Sequence, residues 1–205
     1  MTRVTGLTGA TLVTAPAVCH DCVFWQAPRG RGLDKRRWIE KIEDGWGAWG
    51  TVYYDADGRL LGSMQYGPAQ FFPRAYGLPG GPPTGDAVLV TCAYLMDDSS
   101  PWVMQSLFLT AIGDAKEKGA SALEAFSYRY PEGESSYERF RVHRTVFPHD
   151  FLADFGFRTL RVAGRVELSR LELGGLQPVA EPARERMLRA VKEALAPVPP
   201  VPQRP

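Results

Sequence analysis

The chain has 205 residues, 44% of them hydrophobic and 23% charged, with a formal net charge of +1. That length suits one domain with a sizeable core. The balanced charge gives no electrostatic reason to expect nucleic acid or an anionic membrane as partner. The first sixteen residues hold no apolar run long enough for a signal peptide, and no 18-residue apolar stretch occurs. These features predict a cytoplasmic protein whose three cysteines are reduced thiols.

In chain order, residues 10–14 read as a short strand ending at Pro16, and residues 19–25 as a compact apolar and aromatic segment. Asp34 can cap a helix in which Trp38, Ile39 and Ile42 form the apolar stripe, with Gly45 as its stop. Two β-rich runs, 48–54 and 59–66, flank the turn Asp55-Ala56-Asp57-Gly58 and predict a hairpin. Residues 67–85, rich in Pro and Gly, read as a long loop of the kind that is often functional.

Residues 86–96 are almost continuously apolar, as expected of a central strand covered on both faces. Pro101 suits the first turn of a helix running to residue 118, with Val103, Leu107, Ala111, Ile112 and Ala115 on one face and Gly119 as its stop. Residues 122–128 form another strand. Strand, helix and strand with short links make a βαβ unit, so the two strands should be parallel neighbours. Residues 129–148 are polar and irregular. A short helix at 149–155, closed by Gly156, leads into strands at 157–161 and 165–173. Residues 181–196 form an amphipathic helix, followed by an extended Pro-rich tail. A domain over 1–175 with an appendage at 176–205 is the expected division.

Two segments carry a resemblance. Residues 107–119 (LFLTAIGDAKEKG) and 151–158 (FLADFGFR) resemble, in this order of elements, the long helix and the aromatic–Gly-Phe close of the GNAT (Gcn5-related N-acetyltransferase) superfamily. The chain is thus similar to a divergent member over about residues 10–175. The resemblance implies an α/β fold, a GNAT-like mixed sheet with a central βαβ unit and helices on both faces. It also implies acetyl-CoA as co-substrate, acyl transfer to a small-molecule or peptide amine, and no nucleic-acid or membrane partner. A homodimer is left open.

Physically, such a fold needs a central strand that splays from its neighbour, so that free backbone groups can pair with the pantetheine arm. It also needs a following helix whose N-terminal N–H groups meet the pyrophosphate. This places the arm along Cys92, Tyr94, Leu95 and Met96. The phosphates fall near Ser99, Ser100, Trp102, Val103, Met104, Gln105 and Ser106. There the sequence departs from the family: Ser99-Ser-Pro-Trp102-Val-Met104 carries bulky residues at both usual glycine positions, where the backbone must approach phosphate closely. The family's frequent acid tyrosine falls at Leu152, which holds no proton. A non-catalytic ligand- or protein-binding module with a degenerate CoA loop is the alternative.

Candidate bases are Glu124, on an inner strand, and His149, at the start of the short helix. Either can equally be structural, Glu124 facing solvent and His149 packing as a helix-start residue. Tyr94 and Tyr128 are candidate acids for the departing thiolate, or packed aromatics. Trp38, Trp46, Trp49, Phe71, Phe72 and Tyr76 either wall an apolar acceptor pocket or form ordinary core. Arg129, Arg139, Arg141 and Arg144 either meet the 3′-phosphate of CoA or an acidic acceptor, or form a solvated basic face. Cys19-x-x-Cys22 lacks the second pair that a structural zinc site requires, so no metal is expected. It reads as two small thiols beside Phe24 and Trp25, with a zinc module or a redox pair as the alternatives.

Overall fold

A computed structural model of the chain describes residues 2–29, 31–96, 101–131 and 144–175. Its centre is a mixed sheet of eight strands: β1 (Arg3–Gly6), β2 (Gly50–Tyr54), β3 (Leu60–Pro68), β4 (Ala87–Leu95), β5 (Ala122–Tyr128), β6 (Phe147–Pro148), β7 (Arg158–Ala163) and β8 (Val166–Glu172). The spatial order is β1-β2-β3-β4-β5-β8-β7, with β6 paired to β5. β4 and β5 are parallel and joined through α2 (Pro101–Glu117), as the βαβ pattern requires. Helix α1 (Lys35–Gly45) lies between β1 and β2 in the chain, and the short α3 (His149–Asp154) follows β6.

The helices cover both faces of the sheet. On one face, α2 inserts Val103, Met104, Leu107, Phe108, Ala111 and Ala115 against Val88, Val90, Ala93 and Leu95 of β4. Phe108 is ringed by Phe147, Phe151, Phe155 and Phe157 at centroid distances of 5.0 to 6.1 Å, which docks α3 and the Gly156-Phe157 close onto α2. Gly119 and Gly156 adopt φ of +75° and +87°, a left-handed conformation that suits glycine after a helix end. On the other face, Trp38, Ile39 and Ile42 of α1 pack with Trp25, Trp49, Phe71, Phe72, Leu89, Phe126 and Leu168. Asp34 caps α1 by accepting from Arg36 N.

Two sequence expectations are corrected. Residues 10–14 do not extend into a strand. Leu12–Thr14 form a single 3-10 turn, and the edge strand lies earlier, at Arg3–Gly6. Thr8 and Thr11 explain this: each backbone N–H donates to the other's hydroxyl, and Thr11 Oγ1 donates to Gly6 O, so local side-chain bonds replace a sheet ladder. The loop at 67–85 is also less irregular than expected. β3 runs on to Pro68, and Ala69–Phe71 and Pro73–Gly77 form 3-10 turns that bury Ala69, Phe71 and Ala75. The expected helix at 181–196 and the tail lie outside the described residues. No helix among the described residues is long and apolar enough to cross a membrane.

Candidate functional site

β4 and β5 pair only from Ala87–Ala122 to Val90–Ala125. Beyond that point they diverge. β4 continues to Leu95 against β3, while the end of β5 is held by β8 and by the two-residue β6. A bulge between Gln65 and Tyr66 of β3 sits opposite the start of this divergence and adds local twist. Met96 N–H donates to Leu61 O on β3. By strand alternation, the N–H groups of Leu95 and Ala93 therefore face the opening. Ala93 N–H already donates there to Arg144 O, at 3.2 Å.

A cavity of about 290 Å³ lies at this opening, on the α1 face. Cys92, Ala93 and Tyr94 supply its β4 wall, and Ser63, Met64 and Gln65 its β3 wall. Phe24, Trp25 and Trp49 supply the aromatic side, and Lys35, Cys19 and Cys22 the side formed by α1 and the turns before it. Arg144 holds its guanidinium 3.8 Å over the Tyr94 ring. Lys35 Nζ donates to Cys22 O at 2.6 Å and stands 5.4 Å from the Trp49 ring centre. Burial lowers the Lys35 ammonium pKa.

A buried amide network lies beside the cavity. Gln26 Nε2 donates to Gln65 Oε1 at 2.9 Å, and Thr91 Oγ1 bonds the same oxygen at 3.0 Å. Gln26 Oε1, Trp25 Nε1 and Trp49 Nε1 are buried without a partner. Unpaired buried polar atoms are costly, and these three are enclosed behind the cavity surface, with no hydrogen-bond partner among the described residues. All three cysteines of the chain also line this cavity. Burial pushes the Cys92 thiol up to about 12, and burial followed by the neighbouring Cys22 raises Cys19. Among the described residues, no group of three or more His, Cys, Asp or Glu side chains is arranged to hold a metal ion.

The structure brings some of the sequence-derived candidates to this site and places others elsewhere. Cys92 and Tyr94 line the cavity, whereas Leu95 is buried against α2 and Met96 is half-buried. Val103 and Met104 are buried in the core, and Trp102 packs edge-on against Tyr53 at 5.6 Å. Gln105 is half-buried, and Ser106 is buried with its hydroxyl unpartnered. Ser99 and Ser100, with Arg139 and Arg141, lie outside the described residues.

Glu124 is fully buried at the paired end of β4 and β5, and it does not line the cavity. Its carboxylate accepts from Thr84 N at 2.9 Å and Thr84 Oγ1 at 2.7 Å, and pairs with Arg170 Nη1 at 3.1 Å. His149 Nδ1 stands 2.9 Å from Glu167 Oε2, and Arg129 and Thr159 donate hydrogen bonds to Glu167. Burial opposes ionisation of Glu167, but these hydrogen bonds and the His149 charge outweigh it and lower its pKa. Tyr128, at the end of β5, packs on Tyr130 at 4.9 Å.

Of the aromatic residues singled out in sequence, Trp49 reaches the cavity, Trp38, Phe71 and Phe72 are core, and Tyr76 is exposed. Phe24, Trp25, Gln26, Lys35 and Gln65 carry the site without having been assigned to it. The one signal for the first two was the apolar density of residues 19–25.

No known protein-family profile matches the chain, and no curated protein does. Solved structures do. A putative acetyltransferase of the GNAT family from Desulfovibrio desulfuricans is 15% identical with a TM-score of 0.49, covering 85% of this chain and 100% of its own. The PaiA N-acetyltransferase from Thermoplasma acidophilum, in complex with coenzyme A, is 14% identical with a TM-score of 0.47, covering 84% and 99%. A GNAT-family acetyltransferase from Brucella melitensis, in complex with acetyl-CoA, is 15% identical with a TM-score of 0.42, covering 87% and 92%.

Proposed function

We propose that the chain is an acetyl-CoA-dependent N-acetyltransferase acting on a small amine held in the cavity. The observation that carries this reading is the divergence of β4 from β5 after Val90, with the cavity opening beside Ala93. A thioester arm needs free groups on a strand edge; among the described residues the Leu95 N–H lies on the edge that β5 leaves, beside the Ala93 N–H held by Arg144 O. The first turn of α2 offers N–H groups without helical partners. Its bulky Val103 and Met104 side chains are packed into the core. The residues therefore fit a CoA thioester, with Pro101 contributing no N–H to the turn.

In this reading the amine nitrogen attacks the thioester carbonyl, the N–C bond forms, and the C–S bond breaks to release the CoA thiol. A backbone N–H of β4 stabilises the oxyanion. The amine proton leaves to water or to a base. Glu124 is committed to Arg170 and Thr84. His149 is the freer of the two candidates, at 19% side-chain exposure. Tyr94 in the cavity wall is the better placed acid for the leaving thiolate.

The second reading is a binding module that no longer takes CoA productively. The Ala93–Arg144 hydrogen bond favours it, because Arg144 O stands where the arm would pair. Acetyl-CoA and a mixture of small amines, followed by mass spectrometry, separates the two. The first reading predicts an amide product 42 mass units heavier (about one acetyl in place of hydrogen). If no product forms and acetyl-CoA leaves the melting temperature unchanged at millimolar concentration, the second reading holds. A gain of CoA affinity in Trp102→Gly then identifies the α2 turn as the obstruction.

A further inference from the structure

The cavity wall carries a nucleophile that acyl transfer to a small amine leaves unused. Among the described residues lining it, Lys35 is the only one with an amine, and none is a carboxylate. Lys35 is half-buried and opens α1. Its Nζ donates to Cys22 O at 2.6 Å and stands 5.1 and 5.4 Å from the Trp38 and Trp49 ring centres. A carbonyl and two rings hold a cation less firmly than a carboxylate does, and a helix N-terminus opposes it. Burial is the main cause of the lowered Lys35 pKa, against Cys22, Cys92, Cys19 and Asp21, which favour the charge. The neutral amine, which carries the lone pair, is therefore more populated than on a fully solvated lysine.

The amine also faces β4. Cys92 and Tyr94 present one face of that strand to the cavity, and the Lys35 charge acts on the Cys92 thiol. Lys35 thus shares the cavity with the stretch of β4 beside which the thioester is proposed to lie. We infer that Lys35 is an internal acyl acceptor, a covalent modification site that regulates the cavity. For its donor the inference rests on the acetyl-CoA reading. Neutral Nζ attacks the thioester carbonyl, the N–C bond forms, the C–S bond breaks, and the Nζ proton passes through water to the departing CoA thiolate. The product is an uncharged amide whose acetyl group takes up part of a cavity of about 290 Å³, the space a small amine would need. Lys118 is the control that the fold provides. Burial lowers its pKa too, and its Nζ donates to Ala48 O at 3.1 Å and stands 4.3 Å from the Trp46 ring centre, but it does not line the cavity.

The test treats the full chain at neutral pH with two donors in separate reactions, deuterated acetyl-CoA and the small acylating reagent N-acetoxysuccinimide. Peptide mass mapping follows each lysine. Acetyl-CoA should label Lys35 about tenfold faster than Lys118, and the reagent should label Lys35 about threefold faster than the exposed Lys41. Lys35→Arg, shown to be folded by circular dichroism, should lose that label and keep the others. Reagent labelling of Lys35 no faster than of Lys41 overturns the inference, whatever acetyl-CoA does. Acetyl-CoA labelling of Lys35 no faster than of Lys118 overturns it as well, and so does acetyl-CoA that acetylates a small amine yet leaves Lys35 unlabelled. Selective labelling of Lys35 by the reagent, with neither labelling nor a melting shift from acetyl-CoA, supports the modification site and overturns the acetyl-CoA reading instead.

Discussion

The two ends of the β4–β5 pair treat buried polarity in opposite ways. At the paired end, Glu124 is enclosed but saturated: Thr84 donates to it twice, and Arg170 joins it to Asp86 and Glu172. At the divergent end, Gln26 Oε1 and the Trp25 and Trp49 indole nitrogens are enclosed and have no partner. The first pattern is how a fold tolerates a carboxylate inside a sheet, because an unpaired buried charge is strongly unfavourable. The second is a cost that packing carries, in groups with no partner among the described residues. The contrast assigns Glu124 to the scaffold.

Substitutions should separate the two ends. Glu124→Ala takes one of three carboxylates from Arg170, which keeps Asp86 and Glu172, and leaves Thr84 N–H without its acceptor. It should cost about 1–3 kcal/mol in denaturant unfolding, while the folded fraction binds cavity ligands as the parent does. Loss of ligand binding at unchanged stability would place Glu124 in the site instead. Acid acts on the same network more gently. Hydrogen bonds from Arg170 and then Ser121 hold the Asp86 carboxyl well below the usual carboxylate range. A folded pKa below the unfolded one adds stability that is complete above about pH 4 and lost as pH falls through the folded value. Melting temperature should therefore hold from neutral pH down to about pH 4 and then decline, and Asp86→Asn should flatten that decline. The smallest effect is expected at the divergent end. Gln26→Leu removes the unpartnered Oε1 and also the Nε2–Gln65 Oε1 hydrogen bond, while Gln65 Oε1 keeps Thr91, so stability should fall by about 1 kcal/mol. A large destabilisation would make Gln26 a structural residue.

Much of the fold was legible because strong local signals agreed with tertiary demand. Asp34 caps the helix whose Trp38, Ile39 and Ile42 are buried, the residues 86–96 run is the central strand, and Gly119 and Gly156 close their helices. The N-terminal strand was misread because alternation at 10–14 says nothing of Thr8 and Thr11 bonding one another. The site was less legible than the fold. Cys92 and Tyr94 followed from their place on β4. By contrast, Lys35 opens a helix, Gln26 follows an aromatic pair, and Gln65 sits on a hairpin strand. Only the tertiary fold brings these three to one cavity. Glu124 illustrates the reverse: its strand position suggests chemistry, and its partners, Thr84 and Arg170, lie 40 and 46 residues away.

The central claim is that a CoA thioester lies along the edge of β4 that β5 leaves after Val90, and backbone amide NMR during an acetyl-CoA titration reads it directly. The Ala93 and Leu95 amides should shift and gain protection from exchange, with the Ala93–Arg144 bond replaced, while Ala87 to Val90 at the paired end stay unchanged. Unmoved Ala93 and Leu95 amides at saturating acetyl-CoA would contradict it.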